Sequence, residues 1–287
     1  MKITAVHAHV LRLPEVSAIC EGTQDTCLIH VETDAGISGW GEVDSCPSVV
    51  KAVIEAPLSH QICNGLANAL VGADPLAVEA CMARMDAAAN YYGRVGVGSH
   101  AMAGINQALW DIAGKAHGAP VHQLFGGPFE TKFRAYCSIL FGDTPEETYE
   151  RARKHADMGF TAIKFGWGPM GQSEENDIAL VREARRGAGD DVDVLVDAGQ
   201  VWDWKTALQR AEAFAEYGIF WLEEPLHPQD VAGYAQLCGA SPVPIATGEA
   251  ESNLQDFERL LVEGDIDWVQ PDPGRCGIST MVERSEE

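Results

Sequence analysis

Positive charge is scarce in this chain. Twenty Lys and Arg stand against 43 Asp and Glu in 287 residues, a formal charge of -23, and such a surface repels phosphate backbones and anionic lipid. Nucleic acid and membrane surfaces are therefore not expected partners. Long apolar runs are missing as well. Nowhere do the roughly 18 consecutive apolar residues of a bilayer span occur, and the opening MKITAVHAHV alternates like a strand without the apolar core of a signal peptide. A cytoplasmic location is the expectation. The eight cysteines (Cys20, Cys27, Cys46, Cys63, Cys81, Cys137, Cys238 and Cys276) contain no C-x-x-C pair and no dense framework. That argues against a zinc site or a disulfide scaffold and for reduced, mostly buried thiols. What is present is an ordinary globular composition, 46% hydrophobic, with enough chain for one or two domains.

The first part reads as three strands, Ile3–Leu13, Asp25–Thr33 and Ile37–Val43, the last two joined by the hairpin turn Asp34-Ala35-Gly36. Helical patterns follow over Ser48–Val71, Pro75–Ala89 (Pro after Asp74 marking its start) and Gly98–Ala116. Strands followed by helices, without alternation, indicate an α+β domain over residues 1–128. After Gly126-Gly127-Pro128 the pattern changes. Short β-rich runs at Phe133–Leu140, Thr161–Trp167, Val192–Ala198, Phe220–Glu224, Pro244–Gly248 and Trp268–Gln270 alternate with helical segments at Pro145–Met158, Ser173–Ala188, Trp204–Tyr217, Gln229–Leu237 and Leu254–Glu263. Such βα units predict a parallel sheet of an α/β fold, either a (β/α)₈ barrel or a doubly wound sheet. Ser138-Ile139-Leu140-Phe141-Gly142 is not the G-x-G-x-x-G turn of a dinucleotide fold, which favours the barrel. Phe133 to Glu287 supplies 155 residues where a typical barrel takes about 250, so residues 129–287 are expected to form a partial barrel lacking its last two strands.

Acidic residues keep step with these strands: Asp197 in LVDAGQ, Glu223 in WLEEP, Glu249 in ATGEA and Asp272 in VQPDP, separated by 26, 26 and 23 residues. In a barrel the strand ends form one mouth, where these carboxylates would converge. Neighbouring parallel strands about 4.8 Å apart let three of them share one cation. Oxygen donors suit Mg²⁺ or Mn²⁺ rather than copper or zinc. The alternative reading of any one acid is a helix N-cap or a solvated loop residue.

Lys164 in AIKFGW would face the same mouth, against the alternative of a Lys that snorkels to solvent. With a divalent cation it would make the local potential positive enough for a carboxylate substrate. Together these groups suit proton abstraction α to a carboxylate through an enediolate held by metal and ammonium. Glu224 would point away from Glu223, into a supporting role.

The sequence resembles the enolase superfamily, in its mandelate racemase and muconate-lactonising branch, over essentially its whole length. The resemblance rests on AMAGINQALWDIAGKAHGAPVHQLFGG (Ala101–Gly127), DAGQVWD (Asp197–Asp203), WLEEP (Trp221–Pro225), TGEA (Thr247–Ala250) and QPDPGRCGIS (Gln270–Ser279). It implies an N-terminal capping domain and a barrel, with Asp197, Glu223 and Glu249 as Mg²⁺ ligands. It also implies an acid-sugar carboxylate as substrate, with Lys164 and Asp272 in the catalytic machinery. Loops around Glu15–Gln24 and Ser45–Ser48 resemble specificity loops. Glu21, Tyr92 and Arg94 are substrate-binding candidates, with an exposed or helix-capping Arg as the alternative at 94, and a homo-oligomer is expected. His100, His117 and His122 are read as packing or surface residues.

Several positions depart from the family's pattern. The usual K-x-K reads Lys164-Phe165-Gly166, the usual D-A-N reads Asp197-Ala198-Gly199, the usual acid of the long helix is Asn106, and one Gly of a typical pair is replaced in Cys276-Gly277-Ile278. The His expected after a seventh strand would fall beyond the chain, and the charged tail MVERSEE does not resume the pattern, as a premature stop would leave it. Acid-sugar dehydration is the favoured reaction. Racemisation or cycloisomerisation shares its first half-step, although Gly166 removes one of the two bases a racemase needs. A remnant that folds without turnover, and a different metal-dependent barrel such as an aldolase, remain as alternatives.

Overall fold

Alternating burial builds the first sheet. In the computed structural model, which describes residues 1–19, 24–128 and 130–286 (without the side chains of 284–286), β1 (Ile3–Arg12), β2 (Asp25–Thr33) and β3 (Ser38–Val43) pair antiparallel in the order β1-β2-β3. The candidate Glu21 lies outside the described residues. Cys27, Ile29, Val31 and Val43 point into an apolar core shared with helices α1 (Pro47–Glu55), α2 (Leu66–Leu70), α3 (Val78–Ala88) and α4 (Val97–His117). The inner face is apolar and the outer face is not, as the two-residue period of a strand demands. Helix α4 lies on β3 at backbone contact: a Cβ at Gly39 or Gly41 would come 2.0 Å from the carbonyl oxygens of Ala108 and Gly104. Those two glycines are required by that approach.

The helices between residues 48 and 89 differ from the sequence reading. Ser48–Val71 is not one helical stretch, because α1 ends at Glu55, where Pro57 forces Ala56 into an extended conformation (ψ 138°). Asp74 does not cap a helix starting at Pro75. Its Oδ1 accepts from the Leu76 amide (3.1 Å) to close a turn, and α3 starts only at Val78.

A short α5 (Val121–Leu124) follows, and α11 (Pro273–Glu286), the last helix in sequence, packs beside α4 with a non-helical break at Gly277 (φ 80°, ψ 164°). Buried Asn106 holds the segment just past the break. Its Nδ2 donates to Ser279 Oγ (2.9 Å) and its Oδ1 accepts from the Ser279 amide (3.1 Å), while Trp110 Nε1 also donates to that hydroxyl (3.1 Å) and the hydroxyl donates to Glu79 (2.8 Å). These elements belong to a compact unit made of Met1–Thr131, Glu249–Asp256 and Pro271–Glu287.

The second unit, Lys132–Gly248 with Phe257–Gln270, carries a parallel sheet in strict chain order: β4 (Cys137–Leu140), β5 (Ala162–Gly166), β6 (Asp193–Asp197), β7 (Leu222–Glu223), β8 (Ile245–Thr247) and β9 (Trp268–Val269). Between them run α6 (Pro145–Asp157), α7 (Glu174–Ala188), α8 (Trp204–Ala215), α9 (Val231–Cys238) and α10 (Leu254–Val262). Four of these helices start on side-chain caps, with Thr144, Ser173, Asp203 and Asp230 accepting from the amides of Glu147, Asn176, Thr206 and Gly233. One face of the sheet, through Ile163, Phe165, Val194, Val196, Leu222 and Ile245, meets Leu180, Ala184, Ala211, Phe214 and Tyr234 from the helices in one core. The other face carries Ala162, Leu195, Trp221 and Ala246.

A buried ion pair ties α7 to α8. Arg210 Nε donates to Asp177 Oδ2 (2.9 Å), and Asp177 Oδ1 also accepts from the Gly171 amide (2.7 Å). Breaking such a pair strands one charge away from water. Asp177→Ala should therefore lower unfolding stability by about 3–5 kcal/mol, measured by urea denaturation.

In the first unit His100 buries both ring nitrogens without a hydrogen-bond partner among the described residues. Burial, reinforced by the Arg275 charge and opposed by Asp44, lowers its pKa to about 4. His100 thus stays neutral while the unfolded chain takes up its proton below its ordinary value of about 6.5, so stability should fall as the pH drops from there toward 4 and level off below. Stability profiles of the wild type and His100→Phe should differ over that window alone, with the shallower slope in the variant.

Candidate active site

Register brings three charged side chains of the second unit together. Lys164 pairs with Leu195 across β5 and β6, Gly166 with Asp197, and Asp197 with Glu223 across β6 and β7. Because alternate residues share a face, Lys164, Asp197 and Glu223 project from the side that also carries Trp221. All three are buried, with exposures of 8%, 5% and 0%. The Lys164 ammonium donates to Glu223 Oε1 at 2.6 Å and to Asp197 Oδ2 at 3.4 Å. The other two oxygens also have donors: Trp221 Nε1 reaches Glu223 Oε2 (3.0 Å), and the Gly199 amide reaches Asp197 Oδ1 (2.9 Å). Burial alone would push the Lys164 pKa down, but Glu223 and Asp197 outweigh it and hold it above the ordinary lysine value. The ammonium also lies 5.9 Å from the Tyr136 ring centre, and that ring stands edge-on to Trp221.

The strand ends around these groups are bent. Trp167, Gln200 and Glu224, which follow β5, β6 and β7, all have positive φ (55°, 66° and 39°), a conformation costly for residues other than glycine. Buried Glu224 accepts from Gln200 Nε2 (2.8 Å), and its backbone carbonyl accepts from the Gln200 amide (2.7 Å). Glycine at 166 has a local explanation. A Cβ there would lie 3.0 Å from Asp197 Cβ and 3.1 Å from its Oδ2, so the Asp197 carboxylate occupies the space beside it.

Glu249 and Asp272 fall in the first unit, and both attend Arg275. Arg275 Nη1 donates to the Glu249 carbonyl (2.9 Å) and lies 3.4 Å from its Oε1, Nη2 donates to Asp44 Oδ2 (2.8 Å), and Nε lies 3.8 Å from Asp272 Oδ2. Burial works against the guanidinium charge, yet the three carboxylates raise its pKa. Asp272 Oδ1 accepts from the Gly274 amide (2.7 Å) at the start of α11. Burial and neighbouring Asp44 raise the Asp272 pKa, against the opposing effects of that amide and Arg275.

The predicted residues thus divide between the two units, with Lys164, Asp197 and Glu223 gathered in one and Glu249 and Asp272 in the other. Among the described residues no group of three His, Cys, Asp or Glu side chains is set to hold a metal ion. Tyr92 hydrogen-bonds through its hydroxyl to the Asn64 carbonyl, and Arg94 is exposed. His117 and His122 are exposed. Two residues escaped the sequence reading, Trp221 and Arg275. Trp221 was legible as the residue two before Glu223, hence on the same strand face. Arg275 was legible as the cation one helical turn after Asp272.

With this geometry in hand, comparison with known proteins is specific. Residues 2–126 match the family described as mandelate racemase / muconate lactonizing enzyme, N-terminal domain, and residues 147–284 match the one described as enolase C-terminal domain-like. A D-galactarolactone cycloisomerase from Agrobacterium fabrum is 32% identical over 99% of this chain and 74% of its own length. A D-galactonate dehydratase from Pectobacterium atrosepticum is 33% identical over 87% of this chain and 64% of its own. The chain therefore spans about three quarters of the first relative and less than two thirds of the second. The crystal structure of a protein described as a predicted mandelate racemase from Rhodobacter sphaeroides superposes with a TM-score of 0.90 at 35% identity, covering 99% of this chain and 74% of the other. The parallel sheet in chain order, the antiparallel sheet before it and the two family matches agree: the chain belongs to the mandelate racemase/muconate lactonizing enzyme family of the enolase superfamily.

Proposed function

We propose that this chain carries the active-site half-reaction of an acid-sugar dehydratase or cycloisomerase, abstraction of the proton α to a substrate carboxylate to give an enediolate. The observation that carries the reading is the buried Lys164 ammonium held between Asp197 and Glu223 on adjacent strands. The activities of the relatives, a galactarolactone cycloisomerase and a galactonate dehydratase, support an acid sugar as the substrate class.

The donor set fits a hard divalent cation. Asp197 and Glu223 are buried, pair in register and offer only oxygens, and two carboxylates in such a place require positive charge beside them. Asp197 and Glu223 are the proposed Mg²⁺ ligands, with Glu249 as the third by resemblance. When bound, the metal would polarise the substrate carboxylate and stabilise charge developing on its oxygens.

Lys164 contributes what the chain itself supplies. In its protonated form Nζ offers positive charge and N–H donors to the enediolate oxygens, or returns a proton to the α-carbon. It can take a proton only after losing its own, and both carboxylates oppose that loss. Asp272 is proposed as a second proton-handling group. The Tyr136 ring lies over the ammonium with Trp221 edge-on behind it, and such apolar surface strengthens the ammonium's field by excluding water.

The same feature favours a second reading, in which a permanently paired Lys164 leaves a protein that binds metal and turns nothing over. Proton exchange separates the two. With Mg²⁺ in deuterated buffer, galactonate or galactarate should incorporate deuterium, at the α-carbon where the abstracted proton is returned from solvent, or at C3 of the 2-keto-3-deoxy product where the β-hydroxyl leaves and the enol takes up a proton. Glu223→Gln and Lys164→Met should each slow incorporation by at least about 100-fold, and chelation should abolish it. Metal binding by the folded wild type without incorporation from any acid sugar would instead support the non-catalytic reading.

A further inference from the structure

The outer face of the first sheet carries a cluster the proposed reaction does not use. Strand alternation that sends Val6, Ala8, Ile29 and Val31 into the core leaves His7 and His9 of β1, His30 and Glu32 of β2 and Trp40 of β3 on the opposite face. His7 pairs directly across from His30, and His30 across from Trp40. The three imidazoles form a nearly equilateral triangle, with ring centres 6.2 Å apart for His7 and His9 and 6.4 Å for each of the other two pairs. Trp40 stacks on His30 at 4.1 Å and an angle of 12°, and lies 5.8 Å from His9. Glu32 Oε1 lies 3.6 Å from His30 Nδ1 and 4.0 Å from His7 Nε2.

We propose that His7, His9 and His30, with Glu32 beside them, form a binding site for one borderline divalent transition-metal ion of the Zn²⁺ type. Two histidines two apart on one strand and a third on its neighbour present three imidazoles on one side of a sheet, and three imidazoles plus an oxygen make a donor set suited to that ion class. Metal–nitrogen distances near 2.1 Å place the ring centres of a three-histidine site on the order of 5 Å apart. These rings stand about 1 Å beyond that, which is why no three donors are set to hold a metal in the conformation described. Closing the gap takes side-chain rotation at the surface, where His7 and Glu32 are each 48% exposed; His30, at 17%, is steadied by the Trp40 stack.

Burial lowers the His30 pKa, with His7, His9 and Lys115 acting in the same direction and Glu32 against them. A neutral ring keeps a nitrogen lone pair available to a metal. Nitrogen donors also separate this site from the oxygen-only pair of Asp197 and Glu223. Mg²⁺, which prefers oxygen, should not compete here.

The test uses the full chain without an affinity tag, stripped of metal and held in excess Mg²⁺. Calorimetric titration with Zn²⁺ should show one ion per chain with a Kd of about micromolar or tighter, and Cu²⁺ bound in its place should show nitrogen hyperfine splitting in its electron paramagnetic resonance spectrum. His7→Ala and His30→Ala should each weaken Zn²⁺ binding by at least about 10-fold with unchanged circular dichroism, while Glu223→Gln and Cys46→Ser should leave it alone. His9→Gln gives a second reading if either alanine variant fails to fold. Absence of Zn²⁺ binding would overturn the proposal. So would unchanged affinity in the histidine variants, or one ion per two chains by sedimentation, which would make the cluster a contact between copies.

Discussion

The ammonium of Lys164 between Asp197 and Glu223 is the interaction on which the buried charge of the second unit depends. Two carboxylates on adjacent parallel strands, both buried, repel each other and lose their hydration. A cation 2.6 Å from one and 3.4 Å from the other answers both costs. Its surroundings follow from keeping that arrangement. Glycine at 166 leaves room for the Asp197 carboxylate, Trp221 and the Gly199 amide satisfy the two outer oxygens, and the strained turns at Trp167, Gln200 and Glu224 end the strands there.

The same solution recurs throughout an acidic chain with few cations to spend. Arg210 serves Asp177 and Glu174, and Arg275 serves Asp44, Glu249 and Asp272. Lys164, Arg210 and Arg275 thus each answer at least two acids, which helps reconcile a formal charge of -23 with carboxylates inside the fold. In the reaction proposed above, this carboxylate pair with its lysine is the place that would receive a divalent cation and an anionic substrate.

Departures from the family pattern acquire physical content in the structure. Asn106, where an acid is usual, is fully buried and uses both ends of its amide on Ser279. A carboxylate there would offer no donor to the Ser279 hydroxyl, and that hydroxyl's own hydrogen already goes to Glu79. Gly277, the retained glycine of a usual pair, takes the positive φ that breaks α11 beside Asn106.

Much of this was legible in the amino-acid sequence. The two-residue period of β1 to β3, the βα alternation after residue 128, and the even spacing of Asp197, Glu223 and Glu249 are local or periodic signals, and periodicity needs no knowledge of neighbours. The end of α1 at Pro57 was local too, but the apolar residues on either side masked it. Pairing between distant residues is a different matter. Lys164 meets residues 33 and 59 positions away, Asn106 meets one 173 positions away, and His7 faces His30 only through the register of β1 on β2. A slip of one residue would turn Lys164 or His7 to the opposite face of its sheet. The sequence by itself therefore determined the strands, the helices that alternate with them after residue 128, and which acids stand at the strand ends, but not the helix boundaries between residues 48 and 89. Only the tertiary structure decided which cation answers which acid, because strand register, set by the packing of whole cores, chooses the partners.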